Sequence, residues 1–162
     1  MAQVTINKKA TARLLKKLEL LKNPTRKSDA QALGNLIVRE MKKDIANLKS
    51  PIRGRGAFPA LKDSYKKVKQ RAGKGGKPDL KFTGKFLKSL RATVNKLKRG
   101  GYSATIGFSS AFSKTKELGH REGANGQKER PIIPNSKEGF NNHISKEIKT
   151  FFLKRMRDII RR

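Results

Sequence analysis

The chain has 162 residues, with 41 Lys and Arg against 12 Asp and Glu, for a formal charge of +29 and a pI near 11.0. That length supports one domain around one core. A charge of this size predicts a polyanionic neighbour, nucleic acid first and an anionic membrane second, and the lack of cysteine excludes disulfides, thiolate nucleophiles and Cys-based zinc sites.

The cysteine-free composition fits a reducing cytoplasm. The opening MAQVTINKKATARLL has no continuous apolar stretch, so no secretory leader is expected. Apolar runs such as Leu36-Ile37-Val38 and Phe151-Phe152-Leu153 fall far short of the roughly 20 residues a spanning helix needs. The charge is uneven. Residues 1–50 carry 12 basic and 4 acidic groups, residues 51–100 carry 16 and 2, and residues 101–162 carry 13 and 6. The middle stretch, at a net +14, is where an anionic partner is expected.

Val4-Thr5-Ile6 reads as a short strand or arm, and Leu14, Leu18 and Leu21 mark a helix from about Asn7 to Lys22, ended by Asn23-Pro24. Ser28 and Gln31 have the spacing of a capping box. Leu33, Ile37, Met41, Ile45 and Leu48 then form one apolar stripe, with Gly34 a mild defect and Ser50-Pro51 the stop. Arg53 to Pro59 is a Gly-rich basic loop. Leu61 to Arg71 predicts a short basic helix on Leu61, Tyr65 and Val68, and Ala72 to Pro78 a flexible loop.

Thr83 is placed to cap a short helix that turns Phe86, Leu87 and Leu90 inward. Ala92–Leu97 and Tyr102–Phe108 read as a hairpin, with Tyr102, Ala104, Ile106 and Phe108 on one face. A short helix is expected over Ala111–Leu118, ending at Gly119 in a left-handed turn. Asn125-Gly126 is a favoured turn pair, and a third strand is expected around Arg130–Ile133. Asn135 and Glu138 are placed to cap a last helix carrying Phe140, Ile144, Ile148, Arg155 and Ile159. The fold class is therefore α+β, a small antiparallel or mixed sheet packed against helices. Residues 1–162 form one domain in this reading: N-terminal helices over 1–50, a basic flexible loop region over 51–80, and a helix–hairpin–helix unit with the C-terminal helix over 81–162.

Patterns for chemistry are sparse. A phosphate-cradling loop needs G-x-x-x-x-G-K-[ST], because backbone amides wrap the phosphate and a hydroxyl holds Mg²⁺. Gly76-Lys77 is followed by Pro78, and Gly84-Lys85 by Phe86, so both fail. His120-Arg121-Glu122 echoes a zinc-deaminase fragment without the cysteines that chemistry requires. His120 and His143 read as surface or interface histidines, with partial burial equally open for His143. Glu117, Glu122 and Glu129 read as local charge compensation. No catalytic, cofactor-binding or metal-ligating residue is assigned. The basic residues Arg53, Arg55, Lys66, Lys67, Lys69, Arg71, Lys74 and Lys77 are the candidates for facing phosphate, a contact independent of sequence and sensitive to salt. Tyr65, Phe58 and Phe112 are the aromatics available for base stacking, and each fits a core equally well.

Several segments occur in a telling order. Asp79 to Leu90, with its Thr83-Gly84 pair, resembles the L-x-x-T-G-x-L-x-x-S-[IL] segment of phage virion morphogenesis proteins, also called tail-completion or neck proteins. Ala104-Thr105-Ile106-Gly107-Phe108 resembles their glycine-bearing strand, Ala111-Phe112 through Glu117-Leu118-Gly119 their following helix, and Glu129 to Pro134 their Arg-Pro element. Gly56 to Leu61 and Tyr65 sit where the family has its G-x-x-W-x-x-L stretch and tyrosine. The resemblance covers about residues 53 to 160. Phe58 replaces a Trp, Phe112 a Tyr and Ile132 an aromatic, exchanges that conserve core filling.

The resemblance implies a non-enzymatic virion protein. It would form a homo-oligomeric ring at the head–tail joint and bind a head-side connector or head-closure protein and a tail terminator or tail tube protein, with DNA in the lumen. Thr83, Gly84, Leu87, Leu90, Gly119, Arg130 and Pro131 are then structural or interface residues, with Arg130 offering a fork to a carboxylate or carbonyl, across a subunit boundary or within the chain. A free, sequence-nonspecific nucleic-acid-binding protein accounts for the charge equally well but not for the ordered elements.

Overall fold

The structure, a computed structural model, describes residues 26–81, 83–98, 100–123, 126 and 128–161. The strand or arm expected over 4–6, the helix expected over 7–22 and Asn125 of the expected Asn125-Gly126 turn lie outside the described residues. Within them the fold is α+β: five helices and a two-stranded antiparallel sheet.

Helix α1, Lys27–Ala46, forms along the predicted stripe, burying Ile37, Met41 and Ile45 together with Ala30 and Val38. Its start differs from expectation. Arg26 is the N-cap, its amide donating to Asp29 Oδ2 at 3.2 Å, while Ser28 lies exposed in the first turn. An acid in the first turn suits the positive end of the helix dipole. The chain leaves through Leu48, at φ 60°, whose carbonyl accepts from the Phe58 amide at 2.7 Å. Met41 has no exposed surface, and its truncation to Ala would cost about 2–5 kcal/mol.

Strands β1, Leu90–Lys96, and β2, Tyr102–Phe108, pair from Leu90 opposite Phe108 to Lys96 opposite Tyr102. β2 keeps its expected bounds, and β1 begins two residues earlier than expected. Leu90 and Ala92 alternate inward with Ala104, Ile106 and Phe108, and α1 packs across both strands. Gly34 is no defect there. A Cβ built on it would meet the Ala92 Cβ at 2.4 Å and the Ala104 Cβ at 3.1 Å, so its hydrogen lets helix and hairpin touch. No third strand forms among the described residues. Residues 130–133 instead run as an irregular buried segment, with Ile132 fully enclosed.

Helix α2 spans Asp63–Arg71 and α3 spans Lys85–Lys88. Gly84, at φ 76°, occupies the α3 cap position, and Thr83 Oγ1 accepts only a long 3.4 Å bond from the Lys85 amide. Phe86 and Leu87 are buried as expected, Phe86 stacking on Phe108 at 4.7 Å. Helix α4, Ala111–Glu122, is capped by Ser110 Oγ accepting from the Ser113 amide. It runs through Gly119 and stops at Gly123, which takes the left-handed φ of 66° expected of Gly119. Phe112 is 72% exposed and fills no core, whereas Phe58 and Ile132 do.

Asn135 and Glu138 close a turn of their own, the Asn135 side chain accepting from the Lys137 and Glu138 amides. Helix α5, Asn142–Arg161, starts after them. Asn141, just before it, accepts the Ser145 amide on its carbonyl and donates its side chain to Asp44 and the Ser50 carbonyl. α5 buries Ile144 and Ile159 and pairs Arg155 with Asp29 of α1 at 2.7 Å. Among the described residues no helix is long and apolar enough to cross a membrane.

Candidate nucleic-acid interface

The eight basic candidates separate into three groups. Lys66, Lys67 and Arg71 on α2, with Lys74 and Lys77 in the following loop, are exposed and form ion pairs with no carboxylate of the described residues. Glycines shape the loop: Gly73 and Gly75 take φ of 65° and 64°. The result is five free ammonium or guanidinium groups on one helix–loop unit, the chemistry of backbone phosphate contact.

Lys69 belongs to a different group. It is 2% exposed, and its Nζ donates to Asp79 Oδ1 at 2.6 Å and to the Lys77 carbonyl at 2.7 Å. The lysine expected to face DNA instead fastens the end of the loop to the helix. Burial opposes the Asp79 charge, yet the Lys69 ammonium and the Lys81 amide hold its carboxyl below the usual range. The lysine turned inward thus fixes the Lys77 end of the loop against the helix.

Arg55 is also engaged. Its guanidinium reaches Glu129 at 2.8 Å and Glu138 at 3.0 Å, and those carboxylates raise its pKa. It ties the loop after α1 to the segment before α5 and is not free for phosphate. Arg53 is exposed but sits elsewhere, its amide bonded to the Gly139 carbonyl beside the Ile52–Phe140 bridge.

Arg130 is the anchor beneath this surface. It is 3% exposed and forks onto two carbonyls of its own chain, Nε to Pro59 at 3.1 Å and Nη2 to Ala60 at 2.8 Å. The fork closes on carbonyls within the chain. Burial lowers its pKa, but guanidinium stays protonated in proteins. Together with Lys62 and Lys128 it lines a cavity of about 410 Å³ at the start of α2, shared with Ser64 and Tyr65. Pro131, buried next to it, accepts Ser50 Oγ on its carbonyl at 2.9 Å.

Glu117, read from the sequence as local charge compensation, is buried with Arg121 beside it, and His120, read as a surface or interface histidine, is half-buried. Glu117 Oε1 accepts from the Ile132 and Ile133 amides at 3.3 and 3.2 Å, with Arg121 3.5 Å away. Burial pushes its carboxyl up. Arg121 continues the chain of contacts to the Ile133 carbonyl and to Glu138. These bonds take the place of a strand partner for residues 130–133. The i, i+4 spacing of Glu117 and Arg121 was the available sequence signal. His120 lies against Phe86, ring centroids 5.6 Å apart, and its carbonyl accepts from the Arg130 amide. Burial, then the nearby Lys116 and Arg130 charges, lower its pKa to about 4, so the ring is neutral at pH 7. His143 is the exposed one, its Nε2 3.3 Å from Asp44.

No family model, curated protein or solved structure matches the chain. Its own geometry carries the functional reading. Of the residues expected to be structural, Leu87, Leu90, Arg130 and Pro131 are buried, Gly84 turns the chain into α3, and Thr83 and Gly119 do less than expected. Glu129 pairs with Arg55 as local charge compensation, and Glu122 is exposed on the last turn of α4.

Proposed function

We propose that the chain is a structural, non-catalytic protein of a phage head–tail joint. It assembles as a homo-oligomeric ring between a head-side connector and the tail, in the virion after assembly in the host cytoplasm. The carrying observation is the helix–loop unit of α2, where Lys66, Lys67, Arg71, Lys74 and Lys77 stand exposed with no carboxylate partner among the described residues. In a ring, that unit faces the DNA channel.

The scaffold beneath supports the reading. The Thr83-Gly84 turn, the hairpin and the Arg130-Pro131 segment resemble neck proteins in order along the chain, and here Phe86–Phe108 stacking and the His120–Arg130 backbone bond join them into one framework.

The test is electron microscopy of a phage carrying this gene and of its deletion. Filled heads and separate tails in the deletion lysate are the expected outcome. Intact, normal virions overturn the joint reading and favour a free nucleic-acid-binding protein, which the same five cations would serve.

A further inference from the structure

The cavity of about 410 Å³ at the start of α2 collects positive charge with no acid to answer it. Lys62, Lys128 and Arg130 line it, and among the described residues no carboxylate does. None of the three forms an ion pair with a described residue. The acids next to them in sequence stay off the cavity wall. Glu129 pairs with Arg55 at 2.8 Å, and Asp63 stands exposed in the first turn of α2.

Arg130 distinguishes this cavity from a patch of surface lysines. It is 3% exposed, and its bonds to the Pro59 and Ala60 carbonyls fix the guanidinium while neutralising none of its charge. Those bonds use Nε and Nη2, and a guanidinium has further N–H donors to offer. A buried cation without an anion is costly, and an anion entering the cavity would offset that cost. Lys62 reaches from the helix start to the opposite wall, where a Cβ built on Gly126 would lie 3.0 Å from its Nζ. Ser64 adds a hydroxyl to the lining, and Leu61 and Tyr65 add apolar surface.

Charge and size together select the ligand. A carboxylate or a phosphate diester brings one negative charge, which leaves two of the three cations unanswered. A phosphate monoester carries about −1.5 to −2 at pH 7 and three terminal oxygens, a match for three cationic donors. The volume is larger than a phosphate needs and falls within the roughly 300–1,000 Å³ of small-ligand sites, so the body of the molecule enters too. We infer that the cavity at the start of α2 binds the terminal phosphate of a nucleotide, with Arg130, Lys62 and Lys128 on its oxygens. A free mononucleotide and the phosphorylated end of a nucleic-acid strand present that same group. The site requires neither a ring nor a phage. It also differs from the backbone contact of the α2 helix–loop unit, which takes diesters on exposed side chains.

The test is isothermal titration calorimetry with the full chain at physiological ionic strength. The probes are AMP, adenosine and the cyclic diester cAMP, which share one body and differ in phosphate. AMP should bind about tenfold or more tightly than cAMP, and adenosine more weakly still. Arg130 also anchors residues 59–60, so the variants are made at the exposed lysines, which bear no packing. Lys62→Gln with Lys128→Gln should weaken AMP about tenfold or more, as expected for lost charge-assisted hydrogen bonds. Arg71→Gln with Lys74→Gln removes the same charge. Arg71 lies about 12 Å along the helix from Asp63, beyond a Debye length of about 8 Å, so this pair should change AMP binding by less than about twofold. A short DNA strand with a 5′-phosphate, set beside the same strand with a 5′-hydroxyl, separates the sources. A preference for the phosphorylated strand that Lys62→Gln with Lys128→Gln abolishes makes a strand end the ligand, and AMP binding without that preference makes it the free nucleotide. The inference is overturned if AMP does not bind, if cAMP or adenosine binds as tightly as AMP, or if the Arg71 and Lys74 changes weaken AMP as much as those at Lys62 and Lys128.

Discussion

The α2 helix–loop unit and the α4-to-α5 segment, residues 63–79 and 111–138, are both rich in basic residues but use them differently. In the first, one of the six basic residues, Lys69, is buried and paired, and the other five are exposed. In the second, Arg121 and Arg130 are committed inward, to Glu117, Glu138 and three backbone carbonyls, and Arg55 reaches in from outside to Glu129 and Glu138. The difference lies in the supply of acceptors. A buried irregular segment such as 130–133 leaves amides and carbonyls without ladder partners, and charged side chains satisfy them. A regular helix such as α2 satisfies its own backbone and leaves its cations free.

The sharpest break of this contrast is Lys69→Met. It strands Asp79 and the Lys77 carbonyl, and should lower stability by about 2–4 kcal/mol, whereas Lys67→Met, on the same helix but exposed, should change it by less than about 0.5 kcal/mol. Urea denaturation of both variants checks this. Equal effects would mean that Lys69 has no special place in the unit.

Glu117→Ala follows. It removes the acceptor of two buried amides and should cost about 2–3 kcal/mol, while Glu122→Ala on the same helix should be close to neutral by the same measurement.

The two regions should also fail at different pH. His120 has its folded pKa depressed to about 4 from 6.5, so the unfolded chain takes up its proton first as pH falls. Stability should therefore decline between pH 6.5 and about 4, by roughly 2–3 kcal/mol, and His120→Phe should flatten that window. Asp79 is likewise depressed, from 3.8, so its contribution is present above that value and is lost only at lower pH. Denaturation midpoints measured from pH 7 to 3 separate the two. A decline in the upper window that survives His120→Phe would sink the assignment.

The smallest effect on stability is expected from the free cations, and it is read in binding. Replacing Lys66, Lys67 and Arg71 by Ala should leave folding nearly untouched. It should flatten the dependence of log K on log salt for duplex DNA by about 0.9 for each lost phosphate contact. Arg55→Ala should not change that slope, because its charge is already paired within the chain.

The long periodic elements were legible from the sequence. The Ile37-Met41-Ile45 stripe and the Ala104-Ile106-Phe108 alternation state their own geometry, since burying one face imposes the period. Their ends were less so. Ser28 and Gly119 carry the right chemistry for a cap and a stop, but Asp29 and Gly123 serve instead, and nothing local distinguishes the competing residues. Residues 130–133 have strand composition, but the Glu117 and Arg130 contacts that keep them out of the sheet lie more than a dozen residues away or on another segment. Lys69 was the least legible of the site residues. In a run of lysines, only the folded loop decides which one meets Asp79.

The contact of Gly34 with Ala92 and Ala104 ties three distant positions to one shared volume. A methyl group gained at 34 has to be given up at 92, because the two Cβ atoms would lie 2.4 Å apart. Drift in related sequences should therefore exchange size between these sites, not vary each alone, with alanine at 34 accompanied by glycine at 92.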